Sequence, residues 1–168
     1  MKSKLCFIFI FLSLLSNAQI ISIKDLKNIP GFWQGKLTYL DYNSGKPYSM
    51  PVNLEVEPIA GTNNLLLSIS YPDEPNANGM DTLFISKNRK FINASAIVRR
   101  QELPNKTALI VTRSKGRDGN DNSEVLIRYS YTIGPSEFKL KKEVQLLNDT
   151  TWIKRNEFIF SRTLKKKL

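Results

Sequence analysis

Histidine is missing from the 168-residue chain, and cysteine occurs once, at Cys6. These two absences remove whole classes of chemistry. Ser-His and Cys-His nucleophile pairs need an imidazole base, and zinc sites are built largely from cysteine and histidine. A haem held by a histidine is excluded on the same ground. The eight glycines form no phosphate-cradling loop. No apolar run approaches the roughly 20 residues that span a bilayer as a helix. Beyond a helical lead-in at Ile23 to Asn28, no amphipathic helix stands out.

What is present begins with a secretory signal pattern. Lys2 and Lys4 supply the positive start, Leu5 to Leu15 form an apolar run broken only by Ser13, and Ser16-Asn17-Ala18 ends in a small residue. The pattern places a signal peptide over 1–18, cleavage near Ala18 and an exported product, periplasmic or extracellular, with no stable membrane insertion. Residues 19–168 then form one domain, which without cysteine must rely on its core. The formal net charge is +10, with Lys2, Lys4 and Lys165 to Lys167 at the two ends. The basic tail at 165–168 reads as a frayed terminus. The remaining basic residues are dispersed, so nucleic acid is not expected as a partner.

From Trp33 onward, segments with a period of two alternate with turn signals. Trp33, Gly35, Leu37, Tyr39 and Asp41 share one face of the first, and Val52, Leu54 and Val56 one face of the second. Pro51 argues for an edge or a bulge in that second strand. Val125, Ile127, Tyr129, Tyr131 and Ile133 share a face opposite Arg128, Ser130 and Thr132. Phe91 to Leu103 reads as one weak or bulged strand, 72–79 as a loop and 114–122 as a long polar hairpin tip. About nine strands with short connections predict an all-β protein, a single antiparallel up-and-down β-barrel of 8–10 strands behind a short N-terminal helical turn. Closure removes the exposed edges of an open meander, and a two-sheet sandwich is the alternative.

Gly31-Phe32-Trp33 after a helical turn, with Arg162 in the last strand, resembles the lipocalin and fatty-acid-binding-protein superfamily. The resemblance is closest to small exported lipocalin-like domains of Bacteroidetes-type bacteria. It implies barrel closure by Gly31 and Trp33 with Arg162 packed across the indole. It also implies a small apolar or amphipathic ligand inside the barrel. Relatives that bind fatty acids hold a carboxylate with arginine and tyrosine, which singles out Arg128, Tyr129, Tyr131 and Arg155, with Tyr39 on the first strand. The inward face of the last strand stays open. One choice turns Lys154, Asn156 and Arg162 inward, and the other Arg155 and Glu157.

No enzyme activity, cofactor or metal is expected. Glu124, Glu137, Glu143 and Glu157 lie on strands without a pairing that marks a dyad. The acidic loops lack the ligand spacing calcium needs. The alternative to ligand binding is an envelope interaction module, or an inhibitor of a secreted enzyme, engaging a protein partner through loops 72–79 and 114–122.

Overall fold

The alternation that marks each strand in sequence also decides which of its faces is buried. A computed structural model describes residues 19–163, so the signal segment and the basic tail lie outside the described residues. Ser22 opens α1 (Ile23–Lys27), where it and Asp25 cap each other's backbone in a capping box. Five residues are too few for a helix to stand alone. Packing holds this one: Ile21, Leu26 and Ile29 are buried, and Asp25 pairs with Arg100 at 2.7 Å.

Ten strands follow: β1 (Gly31–Leu40), β2 (Pro47–Pro58), β3 (Leu65–Ser70), β4 (Gly79–Leu83), β5 (Phe91–Ile92), β6 (Ser95–Leu103), β7 (Thr107–Asp118), β8 (Ser123–Ile133), β9 (Glu137–Leu146) and β10 (Ile153–Thr163). They form one antiparallel sheet in the order β4-β3-β2-β1-β10-β9-β8-β7-β6-β5. The sheet curls into a nearly closed up-and-down barrel. Its seam is an isolated bridge, Ile85 to Ile92, beside which Phe84 and Asn93 exchange two hydrogen bonds of 2.7 and 2.9 Å. α1 and the β2–β3, β6–β7 and β8–β9 turns mark the lower end. The β1–β2, β3–β4, β7–β8 and β9–β10 turns form the mouth.

The lower interior is packed with apolar bulk. Trp33, Phe138 and Phe160 are at most 3% exposed, with ring centroids 6.0 Å apart from one ring to the next. Around them lie Val52, Leu54, Val56, Ile110 and Ile133.

Three readings of the sequence change. Phe91 to Leu103 is two strands, because Asn93 and Ala94 take left-handed conformations (φ 47° and 64°) and turn the chain. The polar stretch 114–122 is mostly strand: β7 runs to Asp118, and only 119–122 remain as a turn, with Gly119 at φ 83°. The loop over 72–79 contains a 3-10 turn at Pro75–Ala77 and ends where β4 begins at Gly79. Pro51 sits in a strand paired on both sides farther along. The β3 ladder begins only at Asn53, so at Pro51 that side of β2 has no partner in the ladder.

Candidate functional site

Strand neighbours that face each other across a ladder share a side of the sheet, so the register identifies what lines the barrel. Following the ladder from β2 to β7 gives Tyr48, Tyr39, Asn156, Lys142, Tyr129 and Thr112 in succession. This inner belt is polar-tipped, unlike the apolar layer below it. Tyr131 and Leu140 lie one step deeper. Tyr39 and Tyr48 touch at 5.5 Å between centroids, and Tyr129 and Tyr131 at 6.3 Å. With Tyr42 at the rim and Tyr71 packed on the core, all six tyrosines of the chain serve the interior or its mouth. Burial pushes Tyr131 well above the usual phenol range, and the Tyr129 ring beside it adds to that. Thr112 is fully buried, and its Oγ1 has no hydrogen-bond partner among the described residues. Such an atom is costly to leave unpaired.

Above the belt sits a charged cluster. Asp118, the last residue of β7, accepts from Lys142 Nζ at 2.8 Å, Arg155 Nε at 2.6 Å and the Tyr42 hydroxyl at 3.0 Å. Its side chain is 4% exposed, against 20% and 16% for the two cations. Arg155 reaches Asp118 through a β-bulge: the β9–β10 register slips between Lys154 and Asn156, which leaves Arg155 without a partner in the ladder. Its guanidinium lies 4.8 Å from the centre of the Tyr42 ring, which fixes its plane. Among the described residues its Nη1 and Nη2 make no hydrogen bond, so both donors remain available. Above the cluster opens a cleft of about 410 Å³, lined by Tyr39, Asp41, Tyr42, Lys142, Arg155 and Asn156. Asp41 turns its carboxylate back onto Asn43 and Ser44.

Burial alone would raise the Asp118 carboxyl. The hydrogen bonds from Lys142 and Tyr42, together with the charges of Lys142 and Arg155, outweigh it and hold Asp118 below the ordinary carboxylate range. A depressed folded-state value adds stability that is complete above the unfolded value, about 3.9, and is lost as pH falls through the folded one. Asp118→Asn should therefore lower the unfolding free energy at neutral pH by about 1.5–3 kcal/mol, the scale of hydrogen bonds to a charged group. The gap between wild type and variant should close below about pH 4. Urea titrations at several pH values would measure it, and a gap independent of pH would refute the assignment.

The residues singled out in sequence divide between two faces. Tyr39, Tyr129, Tyr131 and Arg155 gather at the inner face or the mouth. Arg128 does not join them: it faces outward, bonded to Glu143 at 3.0 Å, with its guanidinium 4.0 Å from the centre of the Trp152 ring. Arg162 stacks over Trp33 at 4.1 Å at the lower end and donates to the carbonyls of Asn28, Pro30 and Pro135. Gly31, at φ 127°, lies against Arg162, so a Cβ there would come within 2.6 Å of Nη1. The last strand satisfies both open choices in part. Asn156, Phe158, Phe160 and Arg162 face inward, and the bulge then turns Lys154 out. Glu124, Glu137, Glu143 and Glu157 all face outward, each bonded to a lysine or arginine. Among the described residues no cluster of acidic side chains has metal-binding geometry, and no helix is long and apolar enough to cross a membrane.

No family model matches the chain, and no curated protein matches its sequence. Among solved structures it is similar to Rv2717c from M. tuberculosis, at 12% identity and a TM-score of 0.48, over 85% of this chain and 99% of that one. It is also similar to Npun_R4044, a DUF3598-family protein of unknown function from Nostoc punctiforme, at 10% identity and a TM-score of 0.36. That match covers 86% of this chain, which spans 50% of the Nostoc protein.

Proposed function

We propose that this barrel is an exported, lipocalin-like binding protein for a small amphipathic molecule taken up at its mouth. The apolar body of the ligand lies against Tyr39, Tyr48 and Tyr129, and an acidic head meets the free donors of Arg155 and Lys142. One observation carries this reading: the inner belt changes from apolar to tyrosine and lysine directly below a bulged arginine with two unused donors. Lys142 and Arg155 share one carboxylate, Asp118, so the cluster keeps a net positive charge that packing alone has no use for and an acidic head can meet. Export rests on Lys2, Lys4 and the apolar run that ends before Ala18.

The test uses 8-anilinonaphthalene-1-sulfonate, an anionic apolar probe, with the folded protein. Fluorescence titration should give saturable binding at one site. Arg155→Gln should weaken it at least 10-fold, roughly 1.4 kcal/mol. Tyr39→Ala, in the tyrosine belt above the apolar layer, should weaken it as well. Binding that neither substitution alters would overturn the proposal.

A further inference from the structure

We propose that the outer face of β6 to β9 holds a second site, one for a linear polyanionic glycan. On β7 and β8, Arg113 and Arg128 are direct cross-strand partners. Like charges so placed repel and destabilise a sheet pair. One row along, Arg99 lies opposite Val111 and Lys141 opposite Ser130, so each of four adjacent strands contributes one cation. At roughly 4.8 Å between strands, the row runs about 14 Å across the sheet.

These cations border a hollow of about 430 Å³ on the outside of the barrel. Glu143 is the one carboxylate among its lining residues, and Arg128 and Lys141 already share it at 3.0 and 3.1 Å. Arg113 meets no carboxylate among the described residues: its guanidinium lies 5.6 Å from the centre of the Trp152 ring, whose nearer neighbour is Arg128 at 4.0 Å. Among the described residues Arg99 donates only to Gln101 of its own strand. Stacking on an indole holds guanidinium planes in place without neutralising them, and the forks so presented match carboxylate, sulfate or phosphate groups.

The shape selects the occupant. A row of about 14 Å exceeds one acid group and suits a chain that carries acid groups at intervals. Val98, Leu109 and Val111 supply an apolar floor against which the C–H faces of sugar rings can pack. Arg128 and Lys141 are set back, at 23% and 33% exposed, where a flat lipid surface meets them poorly.

The experiment is calorimetric titration of the purified protein with a size-defined heparin oligosaccharide at several salt concentrations. Arg99→Gln with Arg113→Gln removes two cations that make no ion pair, so the melting temperature should stay within a few degrees. Affinity should fall at least 10-fold, and its salt dependence should become shallower. Lys87→Gln with Lys90→Gln removes the same charge elsewhere and should change neither. Binding of 8-anilinonaphthalene-1-sulfonate at the mouth should be unchanged in both variants. Equal loss in the two variants, or loss on removing 164–168 alone, would overturn the site. So would binding to phosphatidylglycerol vesicles or a single-stranded oligonucleotide in place of heparin.

Discussion

Replacing Trp33 with alanine is expected to lower the unfolding free energy by about 3–5 kcal/mol, the range for emptying a large aromatic site. Three contacts go at once. The indole is 1% exposed and packs on Phe138 at 6.0 Å. Its Nε1 donates to the Ile29 carbonyl at 2.8 Å, which ties α1 to the barrel. Its face carries Arg162, whose other bonds gather Asn28, Pro30 and Pro135. Trp33→Phe keeps a ring but loses the Ile29 bond, so it should cost less, about 1–2 kcal/mol. Urea unfolding followed by circular dichroism would measure both. A loss under about 1 kcal/mol for the alanine variant would show that the lower end does not depend on this residue.

Gly35→Ala is expected to reach or pass the top of the roughly 1–3 kcal/mol range for overpacking. A Cβ at Gly35 would lie 2.0 Å from the Ile159 carbonyl oxygen and 2.9 Å from the Phe160 Cα. Both are backbone atoms of β10, so no rotamer change relieves the clash, and the main ladder between the two ends of the chain must shift. Gly116→Ala is the comparison: its Cβ meets the Ile127 Cδ1 at 2.5 Å, the tip of a side chain that can rotate away. The first variant should express poorly or melt far below wild type, and the second should melt within a few degrees of it. Similar melting temperatures for the two would contradict the account.

Alternation made the barrel legible in sequence, and it also separated residues that the family resemblance had grouped. Arg128 lies between Leu126 and Ser130 on the face opposite Tyr129 and Tyr131, so period two alone sets it outside. Asp118 was hidden for a different reason. Above Thr112 the inward residues of β7 are Ser114, Gly116 and Asp118, whose small or polar side chains read as loop, although each faces an inward residue of β8. Without Asp118 the cluster of Tyr42, Lys142 and Arg155 has no centre. Arg155 was named from its residue type, but its direction depends on a bulge, and nothing in a period-two pattern announces where one residue will be skipped. The outer row of cations was also beyond sequence. It comes from four strands whose relative register only the fold sets.

The ladder between β1 and β10 joins Phe32–Tyr39 to Asn156–Thr163, almost the full length of the domain apart. During synthesis, β1 therefore waits for this partner until all the other strands of the sheet have been made. Until then β1 and β9 each present an open edge to other chains. A protein wired this way completes its barrel only after its last strand, β10, has been made, so closure is a late event that every earlier hairpin must await.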